Sequence, residues 1–286
     1  ILSKRTNATG AWYIRDVMRG MPVDGDNALL FPNTSGAETD SSFALRPSAT
    51  GFTAYNDGAT KTNIYMAIRR PMKTPESGTE VFNVTTSATS AAQAALTPVQ
   101  YYSGFPVDLL LLGSEIVTYA GARYAHDRLT QGRMQTSATT AENYVGDMFD
   151  ANEGYRPVTL SPSTNYYAYL FKRATGFMDL VVADAPGYAW TNQPHNLGVV
   201  PELLIYKSRA VAGTWYVMSS ALASSNYYMG LNSNGAATLS NASQYSATAT
   251  TVSFPSMPSN ASTVAYLFAT LAGVSKVGTY TGTGAD

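Results

Sequence analysis

A degenerate internal repeat constrains this chain more than any other feature. Around Lys4 the sequence reads ILSKRTNATGAWYI, and around Lys207 it reads LLIYKSRAVAGTWYV. In both, an apolar run ends in lysine, a Gly-containing turn follows, and a tryptophan (Trp12, Trp215) stands eight residues after the lysine. A weaker copy, DLLLLGSEIVTYAGARYAHD, carries Gly113 in the lysine slot. A repeat of this kind decides the architecture before any local propensity does.

Further landmarks recur in the same order. Leu29, Phe31 and Asn33 lead to Ala37-Glu38; Met134 and Thr136 lead to Ala141-Glu142; Met229, Leu231 and Asn232 lead to Ala236-Ala237. Gly51-Phe52, Gly154-Tyr155 and Ser253-Phe254 come next, and each copy closes on an apolar run beginning at Ile64, Tyr167 or Val264. Arg69 to Lys172 spans 103 positions and Lys172 to Ala269 spans 97, so the unit is domain-sized rather than a solenoid rung. Opening segments start near Thr79, Met178 and Ser275. This phasing predicts complete units at 72–173 and 174–271, and a unit at 1–71 without its opening strand. Residues 272–286 are then the opening strand of a further unit, or a strand that returns to complete the first. The favoured expectation is a window on a longer array.

Composition narrows the function classes. Charged residues are 13 % and the formal net charge is -1, which offers no basic stripe for nucleic acid or an anionic membrane. No apolar run reaches membrane-spanning length. With no cysteine there are no disulfides and no thiolate metal sites, so packing must supply stability. Twenty tyrosines and abundant Ser, Thr, Gly and Asn describe a weakly charged β-surface of extracellular or virion type. Sequons at Asn7, Asn33, Asn83, Asn241 and Asn260 are read as loops.

Strand-type runs are expected at 11–17, 62–70, 79–85, 107–113, 166–173, 178–184, 201–207, 214–219, 226–232 and 263–270, each bounded by Gly, Pro, Asn or Ser. Only 87–96 has helix-forming composition, and it lacks an apolar stripe. The fold class that follows is all-β: tandem antiparallel β-sandwich modules of jelly-roll or concanavalin-like type, about a hundred residues each.

Candidate chemistry is sparse. His195 reads as a turn histidine whose ring hydrogen-bonds backbone, with a ligand or general base as the alternative. Asp16 and Asp127 share a repeat position with Ser219 in the third copy, which favours loop anchoring. Glu38 and Glu142 share another position, where the third copy has Ala237, and read as hydrogen-bonding groups. Asp24-Gly25-Asp26-Asn27 and Asp147, Asp150 and Glu153 lack the spacing of a calcium loop. No glycosidase carboxylate pair, nucleophile elbow, phosphate loop or zinc motif stands in the chain. No polar or ionisable position is read as kept in all three copies. Trp12 and Trp215 are expected to pack inside, whereas Trp190, Tyr188, Tyr227, Tyr228 and His195 are the candidate ligand-binding residues. No catalytic residue, metal or cofactor is expected.

The stretch His195 to Lys207 with Trp215, Ala265 to Gly282, Tyr65 to Pro71, Thr74 to Phe82, and Arg128 to Gly132 resembles an uncharacterised repeat-domain family of bacteriophage tail, fibre and virion-appendage proteins. The resemblance covers essentially the whole chain and implies a lectin-like sandwich module without catalytic residues. The expected function is a structural, receptor-facing virion protein that contacts host-surface polysaccharide. Its expected partners are further copies in a homo-oligomer, a trimer among them, or other virion proteins, with no nucleic acid and no membrane insertion. A glycan-degrading sandwich enzyme and a bacterial surface adhesin or lectin are the alternatives.

Overall fold

The computed structural model describes residues 1–41, 45–54, 60–86, 101–114, 123–144, 149–156, 166–183, 191–239, 245–253 and 262–284. Short β-strands account for almost all of its regular structure. The first stretch holds β1 (Leu2–Arg5), β2 (Trp12–Ile14), β3 (Asn27–Leu29), β4 (Thr39–Ser41), β5 (Leu45–Pro47), β6 (Phe52–Ala54) and β7 (Asn63–Met66). Then come β8 (Phe82–Thr86), β9 (Tyr101–Tyr102), β10 (Leu109–Ser114), β11 (Arg123–Asp127), β12 (Gly132–Gln135), β13 (Asn143–Tyr144), β14 (Gly154–Tyr155) and β15 (Tyr166–Phe171). The last stretch holds β16 (Met178–Ala183), β17 (Gln193–Pro194), β18 (Leu203–Ser208), β19 (Tyr216–Ser219), β20 (Tyr227–Gly230), β21 (Thr238–Leu239), β22 (Ser246–Ala247), β23 (Thr251–Ser253) and β24 (Thr263–Phe268).

Two compact units form. One comprises Ile1–Met72, Val81–Gln135 and Glu142–Lys172; the other comprises Lys73–Glu80, Thr136–Ala141 and Arg173–Asp286. Each contains a six-stranded antiparallel sheet, ordered β13-β12-β11-β10-β15-β8 in the first and β16-β24-β18-β19-β20-β21 in the second. Read from the opening strand, both run opening, closing, then a four-strand meander. The smaller sheet β2-β1-β7 of the first unit follows the same order without an opening strand beside β7.

Registers agree residue by residue. Lys4 stands opposite Ile64, Gly113 opposite Tyr167, and Lys207 opposite Val264. The backbone N–H of Trp12 donates to Asn33 Oδ1 at 2.9 Å, and that of Trp215 donates to Asn232 Oδ1 at 2.9 Å. The lysine amino groups clasp the turns in between: Lys4 Nζ donates to Gly10 O at 2.5 Å and Lys207 Nζ to Gly213 O at 2.6 Å. At Gly113, in the same slot, the Arg123 guanidinium lies where a Cβ would be. Asp16 Oδ1 accepts from the N–H groups of Met18 and Arg19, Asp127 Oδ1 from those of Leu129 and Thr130, and Ser219 Oγ from that of Ala221. The shared position is thus a loop anchor in all three places.

The sandwich is clearest in the first unit. Leu110, Leu112, Ala168 and Leu170 of the large sheet pack against Tyr101 and Tyr155 of the β9–β14 pair, with Phe105, Val107 and Phe149 filling the layer. Alternation along β10 and β15 puts those four residues on one face. Buried Arg128 ties the layers, donating to Val107 O and Phe149 O and ion-pairing with Asp108 at 3.3 Å. Burial pulls its guanidinium down to about 10, against the opposing pull of Asp108.

All ten strand-type runs contain or overlap a strand, with limits shifted by a few residues. Three details differ. Residues Gly78–Glu80 form a 3-10 turn, because Glu80 Oε1 accepts from the N–H groups of Glu76 and Ser77, and the opening strand starts only at Phe82. The counterpart of Phe52 and Tyr155 is Val252 rather than Phe254: the turns Ser48 to Gly51 and Thr248 to Thr251 close with the same 2.8 Å bond. Residues 276–283 form no strand. The segment 87–96 and Phe254 lie outside the described residues.

Removing the Asn232 acceptor leaves a part-buried Trp215 N–H unsatisfied, whereas Trp12 N–H is open to water. Asn232→Ala is therefore expected to destabilise the second unit by roughly 1–3 kcal/mol, and Asn33→Ala the first by well under that range. Urea unfolding of the two variants checks the order.

Candidate functional site

A tyrosine follows the tryptophan slot in every copy. Tyr13 on β2 stands opposite Ser3, Tyr124 on β11 opposite Leu112, and Tyr216 on β19 opposite Tyr206, each partner being one residue before the lysine slot. All three rings are half-buried. This corrects the expectation that no polar position is kept throughout. The signal stood in the repeat itself, as Trp12-Tyr13, Arg123-Tyr124 and Trp215-Tyr216, but with twenty tyrosines it merged into composition.

Each ring carries a neighbour over it. The Arg15 guanidinium lies 5.2 Å from the Tyr13 centroid, with Phe31 at 5.7 Å. Arg133 lies 4.7 Å from the Tyr124 ring, with His126 edge-on at 6.2 Å. Tyr216 stacks on Tyr206 at 5.1 Å and 17°, and meets Tyr228 at 5.1 Å and 61°. The last set forms a ladder across β18, β19 and β20 that begins at buried Tyr206 and ends at half-buried Tyr228. Burial pushes the Tyr206 hydroxyl far above its ordinary value, helped by Tyr216 and Tyr228, and pushes Tyr216 up as well. The Tyr206 and Tyr216 phenols therefore stay neutral at physiological pH, and all three residues offer ring faces with hydroxyls able to donate or accept.

The expected ligand contacts fare unevenly. Tyr228 joins the ladder. Tyr227 points to the other face of β20, opposite Leu239 and on the side of exposed Met229. His195 is only 3 % exposed and turns inward: its Nδ1 accepts from the Leu197 N–H at 3.2 Å and its own N–H donates to Thr250 O. Among the described residues its side chain is enclosed. Burial lowers its basicity, against the pull of Asp179 and the Thr248 and Thr251 backbone. Trp190 and Tyr188 lie outside the described residues.

The carboxylates are committed elsewhere. Asp16 and Glu38 do converge, but on Arg19, which donates to them at 2.6 and 2.5 Å. Burial raises the Asp16 carboxyl, yet the Arg19 and Met18 donors outweigh it and hold it below its ordinary range. A carboxylate so held is a poor proton donor. Asp179 is fully buried and takes Arg173 Nε at 2.5 Å and the Asn196 N–H at 2.6 Å. Among the described residues no three acidic or histidine side chains gather as a metal-holding group.

Lys207 is the unexpected titratable group. It is fully buried, donates to Thr139 O at 3.1 Å as well as to Gly213 O, and lies 6.0 Å from the Trp215 ring centroid. Trp215 in turn stacks on Tyr266 at 6.3 Å. Burial pulls the Lys207 amine down to about 8.

Residues 171–286 match a family model described as Domain of unknown function (DUF7483). That stretch holds the whole second six-stranded sheet, its tyrosine ladder and Lys207. No curated protein and no solved structure matches the chain.

The depressed Lys207 basicity sets a pH dependence. Below about pH 8 the amine is charged in both folded and unfolded chains, and its burial cost is fully present. Between about 8 and the ordinary 10.5 the unfolded chain binds more protons, so this cost fades as pH rises. Wild-type stability minus that of Lys207→Met should therefore climb across that window. Paired denaturation curves at pH 7 and pH 10 measure it, and a flat difference contradicts the assignment.

Proposed function

We propose that this chain is a non-catalytic, receptor-facing structural protein of a virion, a segment of a phage tail or capsid fibre, which contacts host-surface polysaccharide through its tyrosine positions. The observation that carries this reading is the Tyr206–Tyr216–Tyr228 ladder. A sugar offers an axial C–H face, and a half-buried phenol held by a ring beneath it presents a flat surface at little entropic cost. The hydroxyls of Tyr216 and Tyr228 add hydrogen-bonding groups.

The equivalent Tyr13 and Tyr124 give the chain further weak contacts of similar shape. Repeated weak sites suit a polymeric surface, where linkage raises the effective concentration of each next contact. The near-neutral charge supports an uncharged ligand over a polyanion. Carboxylates engaged by Arg19, Arg173 and backbone N–H groups support binding without bond cleavage. The resemblance to phage appendage domains supplies the virion setting.

Tyr216→Ala and Tyr228→Ala are each expected to weaken binding to host envelope polysaccharide about threefold to tenfold, the scale of one aromatic contact, while the fold is retained. Calorimetry or surface plasmon resonance on purified polysaccharide reads this directly. Unchanged affinity in both variants, or no binding across host glycans, would remove glycan contact and leave a scaffold.

A further inference from the structure

The second copy carries a charge where the third carries a ring. Ala125 faces Met134 and Val217 faces Met229. The residues just before those methionines, Arg133 and Tyr228, therefore hold one position beside the shared tyrosines Tyr124 and Tyr216. In the third copy that position continues the ladder, with Tyr228 5.1 Å from Tyr216. In the second, the Arg133 guanidinium lies over the Tyr124 ring at 4.7 Å. Arginine suits this place, because its planar and weakly hydrated fork stacks on an aromatic face while its N–H edge stays open to donate.

Most arginines of the fold are spoken for. Arg19, Arg70, Arg128, Arg156 and Arg173 each pair with an acidic side chain. The Arg133 side chain makes neither ion pair nor hydrogen bond among the described residues. Half-buried, it has lost part of its hydration with no counter-charge beside it. Register fixes which way it faces. Arg133 stands opposite His126 on β11 and Asn143 on β13, and His126 stands opposite Leu110 of the sandwich layer. All four point to the inner face of the sheet. Further in, that face is closed: His126 is buried, with its Nδ1 3.2 Å from the Tyr155 hydroxyl. At Arg133 it opens, since Tyr124 is half-buried and Asn143 exposed. Neighbouring carboxylates look elsewhere. Glu142 lies over Gly132, on the opposite face of β12, and Asp127 is taken by the Leu129 and Thr130 N–H groups and the Thr130 hydroxyl.

We propose that Tyr124, Arg133 and Asn143 form a subsite for an acidic sugar, a uronate, whose carboxylate takes the Arg133 fork. Its ring then packs beside Tyr124, and its hydroxyls meet the Asn143 amide. This inference rests on the glycan reading above and names the sugar class at that tyrosine position. Carboxylate and guanidinium match in shape, through two parallel charge-assisted N–H···O bonds. In the third copy the Tyr216 ring is flanked by two other rings instead, which suits an uncharged sugar. The two six-stranded sheets thus read different residues of one heteropolysaccharide. A formal net charge of -1 disfavours a densely charged polymer. A single guanidinium asks only for one carboxylate per repeating unit.

Methyl glucuronide, methyl glucoside and acetate separate the parts of the claim in an NMR titration of the full chain. Methyl glucuronide is expected to shift the Arg133 Nε–H and Tyr124 ring resonances. It should bind about tenfold more tightly than methyl glucoside or acetate, the scale of one hydrogen-bonded charge pair. Raising the salt from about 0.01 M to about 1 M should shrink its advantage over the glucoside. Arg133→Gln should remove that advantage, and Arg133→Lys should restore only part of it, because an ammonium lacks the fork. The comparison of the three probes on the unaltered chain stands whether or not a variant folds. Equal binding of glucuronide and glucoside, or no shift at Arg133, overturns the proposal. So does acetate binding as tightly as glucuronide, which would mean an anion site without sugar recognition. The glycan reading itself is decided separately, by the losses of polysaccharide affinity in Tyr216→Ala and Tyr228→Ala, which do not depend on any shift at Arg133.

Discussion

Each closing strand in this chain has two hydrogen-bonding edges, and the architecture follows from how both are satisfied. Strands β15 and β24 are buried between a meander on one side and an opening strand on the other, and both complete sheets are ordered around them. Their buried residues include Ala168 and Leu170 in one and Val264 to Leu267 in the other. Among the described residues strand β7 pairs with β1, and its Ile64, Tyr65 and Met66 are exposed.

Around those strands the polar side chains serve the backbone. Asn33 and Asn232 take the N–H groups of the tryptophans, Lys4 and Lys207 close the turns before them, and Asp16, Asp127 and Ser219 hold the following loops. Such groups rescue backbone that short strands and frequent turns would leave unpaired. Among the described residues, what these sheets present includes the half-buried rings of Tyr13, Tyr124, Tyr216 and Tyr228. The cost sits at Lys207 and Arg128, whose charges are buried and whose basicity falls accordingly.

By itself the sequence determined the all-β class, the positions of the main strands, the lysine and tryptophan slots, and the anchoring role of Asp16 and Asp127. Those depend on alternation, turn residues and spacing, which are local or periodic and leave a direct trace in the chain. Tertiary structure decided the rest. His195 looked available but is enclosed, and Tyr227 and Tyr228 look like a pair but face opposite ways, because burial is set by distant strands and alternation separates neighbours. The Tyr206–Tyr216–Tyr228 ladder joins residues from three strands through register, and register is fixed by pairing. The exposure of Ile64, Tyr65 and Met66 is legible only in three dimensions, since their run reads like those of the buried closing strands.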